Sequence, residues 1–198
     1  MNLVRVEDQP ALQEICALFT EAERAIKEVE DTGGELIVPA VNQLRYTGNH
    51  LIRYLSDPAV EESGNELADA IKHCKRATYD AYEAAILNQL MEFKKFKDDY
   101  RKTQITTIIP DFPTIAKATE MARQFARNNN QSKTRGEQYH AAKDHLHIIV
   151  ENIGKLDACR DELNKQISKE RRNFLWMLFG MVIAAVGAVA AVLQYLGC

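Results

Sequence analysis

FLWMLFGMVIAAVGAVAAVL, residues 174–193, runs for twenty residues without a formal charge and divides the chain between two solvents. As a helix rising about 1.5 Å per residue it spans roughly 30 Å, the thickness of a bilayer's hydrocarbon core. Trp176 near one end and Tyr195 near the other stand where interfacial aromatics are favoured. Lys169, Arg171 and Arg172 flank the N-terminal side, and no charge follows them. The sequence therefore predicts a single transmembrane helix over residues 173–195. The positive-inside rule puts residues 1–172 in the cytoplasm and the anchor in an inner (cytoplasmic) membrane. No ionisable side chain falls within the span, so the helix offers no proton relay or charged filter.

Gly180 and Ala184, Ala184 and Ala188, and Gly187 and Ala191 repeat small residues at a spacing of four. Such spacing lets helix backbones approach closely in lipid, which predicts a homo-oligomer packed through these five positions.

Everything before the anchor has the composition of a water-soluble helical domain. All 25 Lys and Arg and all 28 Asp and Glu lie at or before Arg172. A net charge of −3 and a pI near 6.0 exclude a protein held to nucleic acid by bulk phosphate electrostatics. Cys16, Cys74, Cys159 and Cys198 are far apart, with no CxxC pair, so neither a zinc knuckle nor a dense disulfide framework is indicated. The first residues contain no apolar run of signal-peptide length. There is no Gly-rich phosphate loop, and no cofactor is expected.

Leu12, Ile15, Phe19, Ala22, Ile26 and Val29 alternate steps of three and four, the mark of an amphipathic helix, which Gly33 and Gly34 end. Pro39 opens a second helix reaching about Leu55, with Val41, Leu44, Leu51 and Leu55 expected inward. A long third helix, from about Glu62 to Lys102, carries Leu67, Ile71, Cys74, Ala81 and Ala85 on one stripe. Residues 103–113, with two prolines and many β-branched residues, read as an extended connector before a fourth helix from Thr114 to Arg127. A last helix starts near Thr134, where Thr134 and Glu137 have capping-box spacing, and can continue through Glu170 into the membrane as one rod. The fold class is all-α. It divides into a cytoplasmic up-and-down bundle over 1–131, a last helix or stalk over 132–172, and the membrane helix over 173–195.

Two Arg-x4-His strings stand out, Arg45-Tyr-Thr-Gly-Asn-His50 and Arg135-Gly-Glu-Gln-Tyr-His140. A histidine suits the base that deprotonates a ribose 2′-hydroxyl, and an arginine suits the charge developing on phosphorus, so metal-free RNA cleavage is the chemistry they fit. Arg135 and His140 form the stronger pair, in the first turns of the last helix. Arg45 and His50 form the weaker one, because residues five apart in mid-helix differ by about 140° in direction. His140, Asp144 and His147 share a helix face, but without a Glu-x-x-His partner helix they read as a solvated surface, and no metal is expected.

An Arg-x4-His string on a small helical bundle resembles the signature of HEPN domains, and its union with one membrane helix is similar to the small membrane accessory proteins of type VI-B CRISPR systems. Tyr46 and Gly136, directly after the two arginines, depart from the polar residue common at that position. The resemblance implies a HEPN-like bundle in an oligomeric effector that perturbs or permeabilises the membrane in antiviral defence. Its implied partners are RNA or an RNA-guided effector complex. Two alternatives stand beside it: a membrane-bound ribonuclease using Arg135 and His140, and a non-catalytic tail-anchored scaffold.

Overall fold

The computed structural model describes residues 4–33, 36–56, 63–128, 138–195 and 197. Among them there is no strand, and six α-helices follow in order: α1 (Gln9–Gly33), α2 (Val38–Ser56), α3 (Ser63–Asp99), α4 (Phe112–Asn128), α5 (Tyr139–Ala158) and α6 (Arg160–Tyr195). The capping-box pair Thr134 and Glu137, and Arg135 between them, lie outside the described residues.

The spine is α3, 37 residues or roughly 55 Å long. Against its N-terminal half α2 runs antiparallel, so that Gln43 meets His73 and His50 meets Glu66. Against its C-terminal half α4 does the same, with Phe112 beside Phe93 and Phe96, and Phe125 beside Tyr79. Helix α1 runs with α3. Ile15 and Leu18 share a cluster with Leu67, Ala70 and Cys74, while Ala25, Ile26 and Val29 join the larger cluster around Tyr79, Tyr82 and Ile86. Helix α5 adds Tyr139, Ala142, Leu146, Ile149, Ile153 and Leu156 to that larger cluster and is therefore part of the bundle wall.

The stripe expected on α1 is the buried one: Ile15, Ala22, Ile26 and Val29 are buried, with Leu12 and Phe19 packed at the edge. The face expected on α2 is rotated. Leu44 and Leu51 pack partly, but Val41 and Leu55 are exposed, and the helix buries Ala40, Thr47 and Tyr54 instead. Polar atoms govern that rotation because each finds a partner. The Thr47 hydroxyl donates to the Gln43 carbonyl at 3.2 Å, and the Tyr54 hydroxyl donates to Asp8 Oδ2 at 2.8 Å. That bond, with a second from Arg5, holds the Asp8 carboxyl below its usual range.

Two further expectations are corrected. The connector before α4 contains a 3₁₀ turn (Ile105–Thr107), and α4 starts at Phe112, taking Pro113 into its first turn, where a missing N–H costs nothing. The single rod from Thr134 is two helices in its described part, parted at Cys159, where ψ is −2°. That joint is clamped to the end of α3. Arg160 donates to Asp157 at 2.7 Å and to Asp99 at 3.1 Å, and lies 5.2 Å over the Phe96 ring. The hydroxyl of Tyr100 donates to Asn164 Oδ1 at 3.2 Å. From this clamp α6 buries Leu163, and among the described residues beyond Asn173 none of its apolar window is buried.

Candidate functional site

Two regions carry chemistry that the core does not explain. The first is the seam between α2 and α3. Nδ1 of His50 donates to Glu66 Oε2 at 2.6 Å, and Nδ1 of His73 donates to Gln43 Oε1 at 2.7 Å. Both partners accept, so Nδ1 carries a proton in each ring. The two imidazoles stack with centroids 5.1 Å apart and planes 22° apart. Tyr46 leans on His73 at 5.4 Å, and the Arg45 guanidinium lies 5.2 Å over the Tyr46 ring. Arg53 stands 3.9 Å from the other Glu66 oxygen. Burial, then the neighbouring His50, pushes the His73 pKa below the usual imidazole value. Chemically the seam holds two stacked imidazoles, one oriented by a carboxylate, with arginines at its rim.

The sequence pairing of Arg45 with His50 thus acquires a link through Tyr46 and His73, although the two side chains leave α2 in different directions. His73, Glu66 and Gln43 had no signal in the sequence. They come to His50 only because α2 and α3 pair antiparallel. His140 is exposed and its ring lies against Tyr139 at 4.0 Å; its partner in the string, Arg135, is outside the described residues. Asp144 and His147 line a groove of about 510 Å³ between α1 and α5, with Glu28 and Lys143. Among the described residues no three His, Cys, Asp or Glu side chains are grouped to hold a metal ion. On the opposite side of α5, His145 is half-buried 4.6 Å from the Phe125 ring, and burial lowers its pKa.

The second region is α6 itself. Among the described residues it is the one helix long and apolar enough to cross a membrane, with a mean hydropathy of 2.4 over its apolar window and none of that window buried. Trp176 is 66% exposed, Met181 62% and Val186 64%, so the apolar surface surrounds the helix. Gly180 and Gly187 open onto empty space: a Cβ added at either meets nothing within 4 Å. Ala184, Ala188 and Ala191 are exposed as well. Below this segment, Lys165, Lys169 and Arg172 repeat on one face of α6 beside Asn164 and Ser168.

Comparison with protein-family models, with curated proteins and with solved structures found no match, so the reading of this chain rests on its own geometry.

Proposed function

We propose that this chain is a single-pass membrane protein that holds a helical bundle at the cytoplasmic face of an inner membrane and works there as a self-associating effector. One observation carries the reading: residues 174–192 form a helix that is apolar on every side and, among the described residues, is left unburied. In water each exposed Leu, Ile, Val or Phe forgoes about 1.5–3 kcal/mol relative to burial, a cost that lipid removes. Lys169, Arg171 and Arg172 at the foot of α6 support the cytoplasmic orientation. The small residues open to space on α6 support self-association within the bilayer. Membrane permeabilisation in antiviral defence, alone or beside an RNA-guided complex, is the activity that the HEPN-like resemblance adds.

Alkaline carbonate extraction of membranes from expressing cells tests the core of this proposal. The chain is expected to stay in the pellet, and its release with peripheral proteins would refute the anchor. Dye release from liposomes holding the purified protein then separates an effector from a plain scaffold.

A ribonuclease reading is favoured by a different observation, the Glu66–His50 hydrogen bond at 2.6 Å beside a second, stacked histidine. In that reading His50 or His140 acts as base, and Arg45 or Arg135 as the cation. Single-stranded RNA incubated with His50→Ala and with the double variant Arg135→Ala/His140→Ala assigns the activity; cleavage undiminished in both removes these residues from any mechanism.

A further inference from the structure

Cations on the bundle are held by carboxylates: Arg123 by Glu120, Lys155 by Glu151, and Arg160 by Asp157 and Asp99. Further along α6 that pattern stops. Lys165, Lys169, Arg171 and Arg172 are exposed, and among the described residues none of them has an ion-pair partner. The one carboxylate within residues 165–172, Glu170, accepts instead from Gln166 at 2.9 Å. The whole chain carries −3, so this basic stretch runs against its own background. Lys165, Lys169 and Arg172 follow steps of four and three, and Trp176 comes four residues later, so the four share one face of the helix. Buried Leu163 points to the other side. Asn164 and Ser168 flank the cations, and Asp161 closes the face at the end far from the apolar span.

We propose that this face binds the phosphate headgroups of anionic phospholipids in the leaflet that receives the foot of the anchor. The proposal rests on the membrane reading above and names the lipid class which that reading leaves open. Counted along the helix from Phe174, Arg172 lies about 3 Å outside the apolar span, Lys169 about 7.5 Å and Lys165 about 13 Å. A headgroup layer is roughly 5–8 Å deep, so Arg172 and Lys169 stand within it. Lys165 stands beyond it by no more than a Debye length, about 8 Å, and its flexible stem can lean toward the phosphates. Each such cation adds an attraction worth about fivefold in affinity for an anionic surface. The Ser168 hydroxyl offers a further donor beside them. The chain leaving α3 is drawn to the same level: Tyr100 donates to Asn164 at 3.2 Å, and Ile108 shares a cleft with Lys165, Lys169 and Asn173. Arg101 and Lys102, both exposed, follow Tyr100 directly and add two cations to this end of the bundle. RNA offers phosphate too, but Arg172 and Trp176 straddle the edge of the span, where a lipid carries its phosphate and glycerol.

The test reconstitutes the full-length protein in phosphatidylcholine liposomes and reads quenching of Trp176, the single tryptophan. One preparation contains phosphatidylglycerol brominated high on its acyl chains. The other contains phosphatidylcholine brominated alike at the same mole fraction. The brominated phosphatidylglycerol is expected to quench several-fold more effectively. Lys165→Gln/Lys169→Gln is expected to bring the two lipids close to parity. Glutamine matches lysine in helix propensity, and Arg171 and Arg172 remain to hold the orientation. Raising salt from about 0.1 M to about 1 M shortens the Debye length from about 10 Å to about 3 Å. In the parent protein, with no substitution at all, that change is expected to reduce the preference in the same way. Equal quenching by the two lipids in the parent overturns the headgroup site and leaves the anchor standing; RNA retained on neutral liposomes through the same two lysines then assigns the face to nucleic acid. A preference undiminished by the double variant, or untouched by salt, overturns the site as well. Quenching by neither lipid overturns the anchor itself, on which the site depends.

Discussion

Leu163 and Val186 sit on the same helix in opposite surroundings: Leu163 is fully buried and Val186 is 64% exposed. Around Leu163 the sequence gives α6 a polar side, with Asp161, Glu162, Lys165 and Lys169, so one face suffices for the core and the others for water. Around Val186 there is no polar side to turn outward. The backbone geometry is alike in both halves, so the residues alone decide which solvent each half tolerates. Fold stability should therefore reside in the first 172 residues, and location in the remainder.

Deleting residues 173–198 is the severest way to break that comparison. The truncated chain is expected to move wholly from the membrane to the soluble fraction while keeping its helical circular dichroism and cooperative melting. An insoluble or unfolded product would show that α6 supports the bundle.

Matched truncations inside and outside the core come next. Leu156→Ala empties a site that is fully buried and should cost about 2–5 kcal/mol in chemical denaturation. Val186→Ala removes exposed methyls and should leave the same transition unmoved. Equal effects would erase the distinction between the halves.

A smaller effect, of pH, sharpens the picture within the bundle. Burial first, and for His73 the neighbouring His50 next, hold His73 and His145 below the ordinary imidazole pKa of 6.5. The unfolded chain then binds protons before the folded one, so stability is full above about pH 6.5 and falls as pH drops below it. Melting at pH 7.5 and at 5.5 should differ by less in His73→Asn and His145→Asn than in the parent, and an unaltered difference would mean that these rings stay neutral in neither state or both.

Least in size, bulky residues at Gly180 and Gly187 should weaken assembly without altering membrane retention or bundle melting. Unchanged mass in detergent would assign association to the soluble helices alone.

The sequence made some of these features legible and hid others for physical reasons. Apolar periodicity located α1 and the stripe of α3, because their inward residues are plainly hydrophobic. It misjudged α2, where Thr47 and Tyr54 take the buried side once their hydroxyls find acceptors, and Val41 and Leu55 turn out. The break at Cys159 has no proline or glycine to announce it. It owes its position to Arg160 and Tyr100, partners some 60 residues apart. The seam of His50, His73 and Glu66 needed the pairing of two helices before its members could be recognised as neighbours. By contrast, the apolar run of α6 was visible at once, since an unbroken stretch needs no tertiary information.

Trp176 is the chain's single tryptophan and lies near the start of the apolar segment, so its fluorescence tests the central claim most directly. In liposomes the account predicts blue-shifted emission, strong quenching by brominated lipid and little quenching by aqueous iodide. Emission at the wavelength of a hydrated indole, quenched by iodide and untouched by the lipid probe, would contradict it.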